Sequence, residues 1–348
     1  MSESSKRLRT IDIEPDEHML IKPGELIDIV ELSPLTLQDR RIYNLLILNA
    51  WDSITEPKEH RIHKRDLRGS HHTNERVGES LLRLMGAVAQ LRIERDAGEG
   101  METFTRRVQL LAGTEEAIRG DGLVFYSFPA AVRGIIRESS QYARLQKQVM
   151  FAFSSKYALA LYEMVQKRGN LKFKTSEEFP VDRFRALLGV ETGKLSAFKS
   201  FKQRAIDPAV LEVNGLGEFG CKVEPIYAGR KVTAVRLSWW AKNLDERKIA
   251  LHELRFSKVG RRARLKGEVV TITSLARELE GPHPKMLPLE GRSGLTQRHY
   301  AAFRRDFPDL DVEEIERQFR AYLADREPPD DYVKALYGFA RKKAAELR

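Results

Sequence analysis

The sequence holds a single cysteine, Cys221. One thiol builds neither an intrachain disulfide framework nor a cysteine zinc cluster, so the fold rests on its own cores and a reducing compartment is expected. No stretch approaches the roughly 20 consecutive apolar residues that a membrane-spanning helix needs. The opening MSESSKRLRT lacks an apolar segment of signal-peptide type. A soluble, cytoplasmic protein with no membrane partner is the expectation. Also missing is the G-x-x-x-x-G-K-S/T pattern of a P-loop, so no ATPase motor is expected. Gly215, Gly217 and Gly220 do satisfy G-x-G-x-x-G. They follow a helical stretch and lead into a strand, the reverse of the strand-to-helix order that cradles a pyrophosphate. His60, His63, His71 and His72 do not form the paired histidines of a DNA nickase. No catalytic residue, metal or cofactor is expected.

What is present is length and positive charge. At 348 residues the chain exceeds one core, and domains of about 100–200 residues give two or three. Lys and Arg number 60 against 50 Asp and Glu, a net charge of +10 that favours a polyanionic partner. The charges are unevenly placed. Lys194 to Ile206 holds four basic residues and no acid, Arg255 to Lys266 holds six and none, and 306–331 is crowded with carboxylates.

The order of elements repeats. Residues 1–32 form a polar, proline-interrupted N-terminal arm ending in a short apolar stretch, Leu26 to Val30, suited to an edge strand. Ile42, Leu45, Leu46 and Asn49 then follow helical spacing. A short helix at 63–67, a longer one from about Asn74 to Leu91, and alternating stretches near 91–95, 103–111 and 123–128 complete a first domain, 33–149. Its last part, Ser127 to Val149, is expected to be mostly helical after Pro129. The second domain, 150–245, repeats the order. Ala158, Leu161, Tyr162 and Val165 mark its first helix, Val181–Leu188 closed by Gly189 its second, and about Gly193 to Pro208 its third. Strands near 221–227 and 231–240 follow, joined by Ala228-Gly229-Arg230. Three helices and then a β-ribbon make a winged helix. The fold class is α+β, with two tandem winged-helix domains and, over 246–348, a basic linker and helical C-terminal module. There Asp311-Val312-Glu313-Glu314 has capping-box form, ahead of an apolar stripe of Val312, Ile315, Phe319 and Tyr322.

Lys194 to Arg204 carries the most chemistry. At 100° per residue Leu195, Phe198, Phe201 and Ala205 share one arc, and Ser196, Lys199, Ser200, Gln203 and Arg204 share another. One face anchors to a core while the other presents donors and cations. A major-groove recognition helix needs this arrangement, because Arg and Lys hold guanine edges and Gln pairs with adenine. The hairpin tip Arg230 and Lys231, with Arg236 on the return strand, suits a wing on phosphate or minor groove. The first domain's long helix buries Val77, Leu81, Leu84, Met85 and Val88 and shows Arg76, Glu79, Arg83 and Gln90, an exposed face of mixed sign. Lys64 and Arg65 before it, and Arg106 and Arg107 on the ribbon, add cations. Base reading and dimerisation both remain open for this domain.

Several of these segments carry a family resemblance. Ser154 to Glu163, Val181 to Gly189, Phe198 to Ala209 and Gly229 to Val232 resemble the second winged helix of the iteron-binding initiators of theta-replicating bacterial plasmids. The resemblance covers about 25–245. It implies a protein that binds direct repeats in double-stranded origin DNA, helps open the origin and recruits host replication proteins. It also implies a monomer–homodimer equilibrium paired through the first domain, in which dimers repress, and DNA contacts by Lys199, Lys202, Gln203, Arg204, Arg230 and Lys231. A transcriptional repressor on the same two domains is the alternative, and a rolling-circle nickase a more distant one. For the C-terminal extension, a division of labour is expected. Arg255, Lys258, Arg261, Arg262, Arg264 and Lys266 would add unspecific DNA affinity, while Asp306, Asp309, Asp311, Glu313, Glu314 and Glu316 would face protein.

Overall fold

The computed structural model describes residues 9–68, 77–96, 98, 100–117, 122–169, 171, 173–267, 295, 297–308, 310–323, 329 and 331–346. Contacts divide the chain into two units, 1–269 and 270–348.

The first unit opens with strand β1 (Met19–Pro23) and the short β2 (Val30–Glu31). Leu20, Ile21, Leu26 and Ile27 are buried, so the segment read as a polar arm supplies core residues. Helix α1 (Leu37–Ala50) starts at a reciprocal cap. The Thr36 hydroxyl accepts from the Asp39 amide at 3.2 Å, and the Asp39 carboxylate accepts from the Thr36 amide at 2.8 Å. Strand β3 (His60–His63), α2 (Lys64–Arg68) and α3 (Val77–Gly86) follow. Then come β4 (Val88–Asp96), β5 (Met101–Gln109), β6 (Gly113–Glu116), β7 (Leu123–Ser127), α4 (Ala130–Glu138) and β8 (Tyr142–Gln146). Three antiparallel sheets result, ordered β1-β8, β2-β4-β5 and β3-β7-β6.

Two expectations are corrected here. The long helix ends at Gly86 rather than Leu91, because Ala89 and Leu91 alternate inward as β4 pairs with β5. Gln90 is therefore a strand residue. The stretch after Pro129 is helical over Ala130–Glu138 and again from Lys147, but buried Ala143 and Leu145 place strand β8 between them as the partner of β1.

The second half runs α5 (Lys147–Ala152), α6 (Lys156–Gly169), β9 (Ser176–Pro180), α7 (Val181–Leu187), α8 (Phe198–Phe201), a π-turn over Lys202–Ile206, α9 (Asp207–Leu216), β10 (Phe219–Ala228) and β11 (Lys231–Ala241). Its sheet is ordered β10-β11-β9. Gly215 and Gly220 serve packing. A β-carbon on Gly215 would fall 2.3 Å from Leu265 and one on Gly220 2.3 Å from the Trp240 indole. Helices α10 (Leu244–Glu253) and α11 (Arg261–Leu265) then pack on α9. They carry a correction to the basic linker. Arg261 is buried and donates to Glu253 and to the Ala152 carbonyl, and Arg264 grips the same carboxylate, so both are internal struts.

One continuous apolar core runs from Ile13 to Trp239 through both winged helices. Polar groups are threaded through it. Lys22 on β1 pairs with Glu163 on α6 at 2.8 Å, with both side chains buried, and Glu163 also accepts from Asn44 of α1 at 2.7 Å. Arg168 and Lys167 clamp Asp28 at 2.9 and 2.7 Å, and Arg83 clamps Asp39 at 2.9 Å. Burial by itself would raise the Asp28 and Asp39 carboxyls. Arg168 and Lys167 at the first, and Arg83 with the Thr36 cap at the second, outweigh it and hold both below the ordinary aspartate range. Their stabilising contribution is therefore complete above the unfolded value of about 4 and is lost as pH falls through the lower folded value. Denaturant titrations between pH 7 and 2 should show the part of stability these two carboxylates carry falling below about pH 4, and Asp39→Asn should flatten part of that fall.

The C-terminal unit has its own core around Phe303, Ile315, Phe319 and Leu336, from α12 (Gln297–Asp306), α13 (Val312–Leu323) and α14 (Tyr332–Glu346). Asp311 caps α13 by accepting from the Glu313 amide at 3.0 Å. Tyr322 is exposed, and Leu323 completes the buried stripe in its place. Glu316 is also corrected: it is buried and pairs with Arg320 at 2.9 Å, so it is no surface acid. Asp306 and Glu314 pair with Arg305 and Arg317, and Asp309 lies outside the described residues. No helix among the described residues is long and apolar enough to cross a membrane.

Candidate nucleic-acid interface

The third helix of the second winged helix starts at Phe198, not Gly193, and runs on to Leu216. Two residues delay it: Gly193 at φ 81° and Leu195 at φ 50° are left-handed, a conformation no right-handed helix accepts. Ser196 thus precedes the helix, and its carbonyl accepts from Arg185 at 3.1 Å. Arg185 also lies over the Phe201 ring at 4.9 Å, so this residue, which sequence reasoning missed, pins the helix start to α7. Pro208 explains the π-turn. Lacking an N–H, it interrupts the ladder one residue on, and the Asp207 amide reaches back five residues to the Lys202 carbonyl.

Phe201, Ala205, Ile206, Ala209, Val213 and Leu216 are buried, and the helix is rooted in the core along its length. On the outer side Lys199, Gln203 and Arg204 are exposed, and among the described residues none of the three side chains makes an ion pair or hydrogen bond. Ser200 is half-buried beside them. Lys202 differs: it pairs with Asp207 at 2.7 Å. At the wing, Gly229 takes φ 62° to open a two-residue turn, leaving Arg230 and Lys231 exposed at the tip. Arg236 stands further down β11 and pairs with Glu178 at 2.7 Å.

Of the cations singled out in the first winged helix, several are engaged or half-buried. Arg83 does not stand free on an outer face, because its guanidinium is spent on buried Asp39. Lys64 pairs with Glu116 at 3.1 Å. Arg65 and Arg107 are exposed, Arg106 is half-buried on β5, and Arg76 lies outside the described residues together with His71 and His72.

Gly189 joins the two halves. It sits at φ 73° after α7, and a β-carbon there would fall 2.6 Å from Arg40 and 2.9 Å from Glu31, which pair with each other at 2.7 Å. Gly189→Ala should cost about 1–3 kcal/mol by backbone strain and overpacking. It should also weaken DNA binding, because Gly189 opens the loop that ends at α8; melting and band-shift titrations check the two effects together.

Comparison with known proteins agrees with this architecture. The model described as "Initiator Replication protein, WH1" matches residues 20–166, and that described as "Initiator Rep protein, WH2" matches 180–239, together more than half of the chain. A search of curated proteins returns no match. Among solved structures, the crystal structure of Pi initiator protein in complex with iteron DNA is similar at 14% identity, covering 66% of this chain and 100% of that one with a TM-score of 0.45. A structure of domains 2 and 3 of RctB is similar at 13% identity, covering 66% and 94% with a TM-score of 0.35. With both of these TM-scores below 0.5, the assignment rests on the two family models and on the winged helices themselves. The chain belongs to the initiator replication (Rep) protein family, DNA-binding replication initiators built on paired winged helices.

Proposed function

We propose that this protein initiates plasmid replication in the cytoplasm by binding direct repeats at the origin, with the helix from Phe198 in the major groove and the Arg230–Lys231 tip on the flanking backbone. The observation that carries the reading is the row Lys199, Gln203 and Arg204. These donors are unpaired among the described residues, with Lys199 one turn before the adjacent Gln203 and Arg204, on a helix whose opposite side is core. Such donors match guanine and adenine edges. Lys202 and Arg236 already have carboxylate partners, so they act as phosphate contacts only after giving those up. Lys64 and Arg83 support the fold of the first winged helix, leaving Arg65, Arg106 and Arg107 to contact backbone. The protein acts without an active site of its own: it holds and deforms DNA, and host replication proteins do the chemistry. Self-association through the first winged helix would set copy number.

Footprinting on DNA flanking the gene tests this. Protection of tandem direct repeats is expected; protection of a single inverted repeat would make the protein a repressor, and a covalent protein–DNA adduct would make it a nickase. Raising salt should weaken binding steeply, with a log–log slope matching about 6–10 phosphate contacts if both winged helices engage. A slope of two or three would confine binding to one.

The C-terminal unit is proposed to serve a protein partner. The cut that tests it belongs after Gly267, because a cut near Glu246 would remove Arg261 and Glu253 from the first unit's core. Protein ending at Gly267 should keep repeat binding and fail to replicate.

A further inference from the structure

A second cationic site shares no lining residue with the helix from Phe198. It is a groove of about 720 Å³ whose walls come from the first winged helix, from α5 and from the segment between α10 and α11. That last wall falls outside both family matches.

The floor is the C-terminal end of α5. Its carbonyls accept from Arg41, at 3.3 Å from Met150 and 3.0 Å from Phe151, and the Ala152 carbonyl accepts from Arg261 at 2.7 Å. Guanidinium groups at a helix C-terminus satisfy its orphan carbonyls. They also leave charge behind, because Arg41 has no carboxylate within ion-pair distance among the described residues. Above this floor Lys258 is half-buried, and among the described residues its ammonium has no acceptor. Burial, then Arg41 and Arg261, pull it down to about 8. Arg65 and Lys147 stand at the rim. Arg65 pairs with the neighbouring Asp66 at 3.8 Å, and Lys147 donates to the Glu17 carbonyl at 3.1 Å. Beside these cations the walls mix apolar residues such as Leu45, Phe151 and Phe256 with the polar Asp66, Gln148 and Ser257.

We propose that this groove binds a phosphoryl group carried on a nucleotide, with Lys258 as its central contact and Arg65 and Lys147 at the rim. Lys258 and Lys147, neither with a carboxylate partner among the described residues, fit a multiply charged anion, and the groove's volume is that of a small-molecule site rather than of a lone ion. Two sources share this chemistry: the backbone of bound DNA and a free nucleotide. The groove does not depend on the major-groove role of Lys199, Gln203 and Arg204.

The test uses the full chain with three probes: ATP, a single-stranded oligothymidylate and the direct-repeat duplex. Lys258→Gln and Arg65→Gln are compared with wild type after melting curves show them folded, and Lys258→Arg serves as the charge-retaining control. If a free nucleotide fills the groove, ATP binds wild type, the Gln variants lose at least tenfold in affinity, and Lys258→Arg keeps it. If DNA supplies the phosphate, ATP does not bind, and Lys258→Gln, at a residue outside the proposed repeat contacts, loses affinity for oligothymidylate or duplex with a salt slope lower by about one. Unchanged binding of all three probes in Lys258→Gln overturns the proposal, whatever Arg65→Gln does to the duplex. Variants at Lys199 and Arg204 separate this site from the recognition helix, because they should lose duplex recognition and retain ATP binding.

Discussion

Glu163→Gln should destabilise the first unit by about 3–5 kcal/mol, the cost of leaving a buried charge without its partner. The substitution keeps the volume and a hydrogen-bonding group for Asn44 but removes the counter-charge from Lys22, whose side chain is 5% exposed. Burial already holds the Lys22 ammonium below its ordinary value despite Glu163. Without that carboxylate the lysine must be buried charged and unpaired or give up its proton. Lys22→Met should recover most of the loss in the Glu163→Gln background, because the pair is replaced by groups that need no solvation. A denaturation cycle over the four proteins checks this. Additive single losses would mean that the pair contributes nothing as a pair.

The double substitution Lys199→Ala with Arg204→Ala should abolish repeat recognition. Each base-reading contact is worth about 1–3 kcal/mol, so if the two add, the pair removes about 2–6 kcal/mol, roughly 30-fold to 10⁴-fold in affinity. Stability should hold, since both side chains are exposed and unpaired. Competition against random duplex tells base from phosphate contact. A fall confined to the repeat places both residues on base edges, whereas an equal fall on both DNAs makes them backbone contacts. No fall on either removes this helix from the interface.

Much of this protein was legible along the chain because the relevant signals are local. The period of Ala158, Leu161, Tyr162 and Val165 needs only helix geometry, and Gly189 after Leu188 and Gly229 before Arg230 mark positions where φ is positive. The polar row on the third helix was visible for the same reason, and three of its members stand exposed. Its start was misplaced, because Leu195 is left-handed without being glycine and is held there by its surroundings. The π-turn had a signal in Pro208, but an even 100° projection passes over it. Val88 to Leu91 fits a helix by spacing and is a strand because β5 lies alongside.

Charge was where sequence and structure diverged most. Composition and order determined a basic protein of two winged helices with a helical extension, since charge, period and turn residues are properties of the chain itself. Only the tertiary structure decided which cations face outward. Arg83, Arg261 and Arg264 read as surface charge, yet each meets a carboxylate brought from elsewhere in the chain, 44, 8 and 11 residues away. Among the described residues Lys199, Gln203 and Arg204 meet none. A buried charge must be paired and a solvated one need not be, and which applies is fixed by packing between elements that no local pattern encodes.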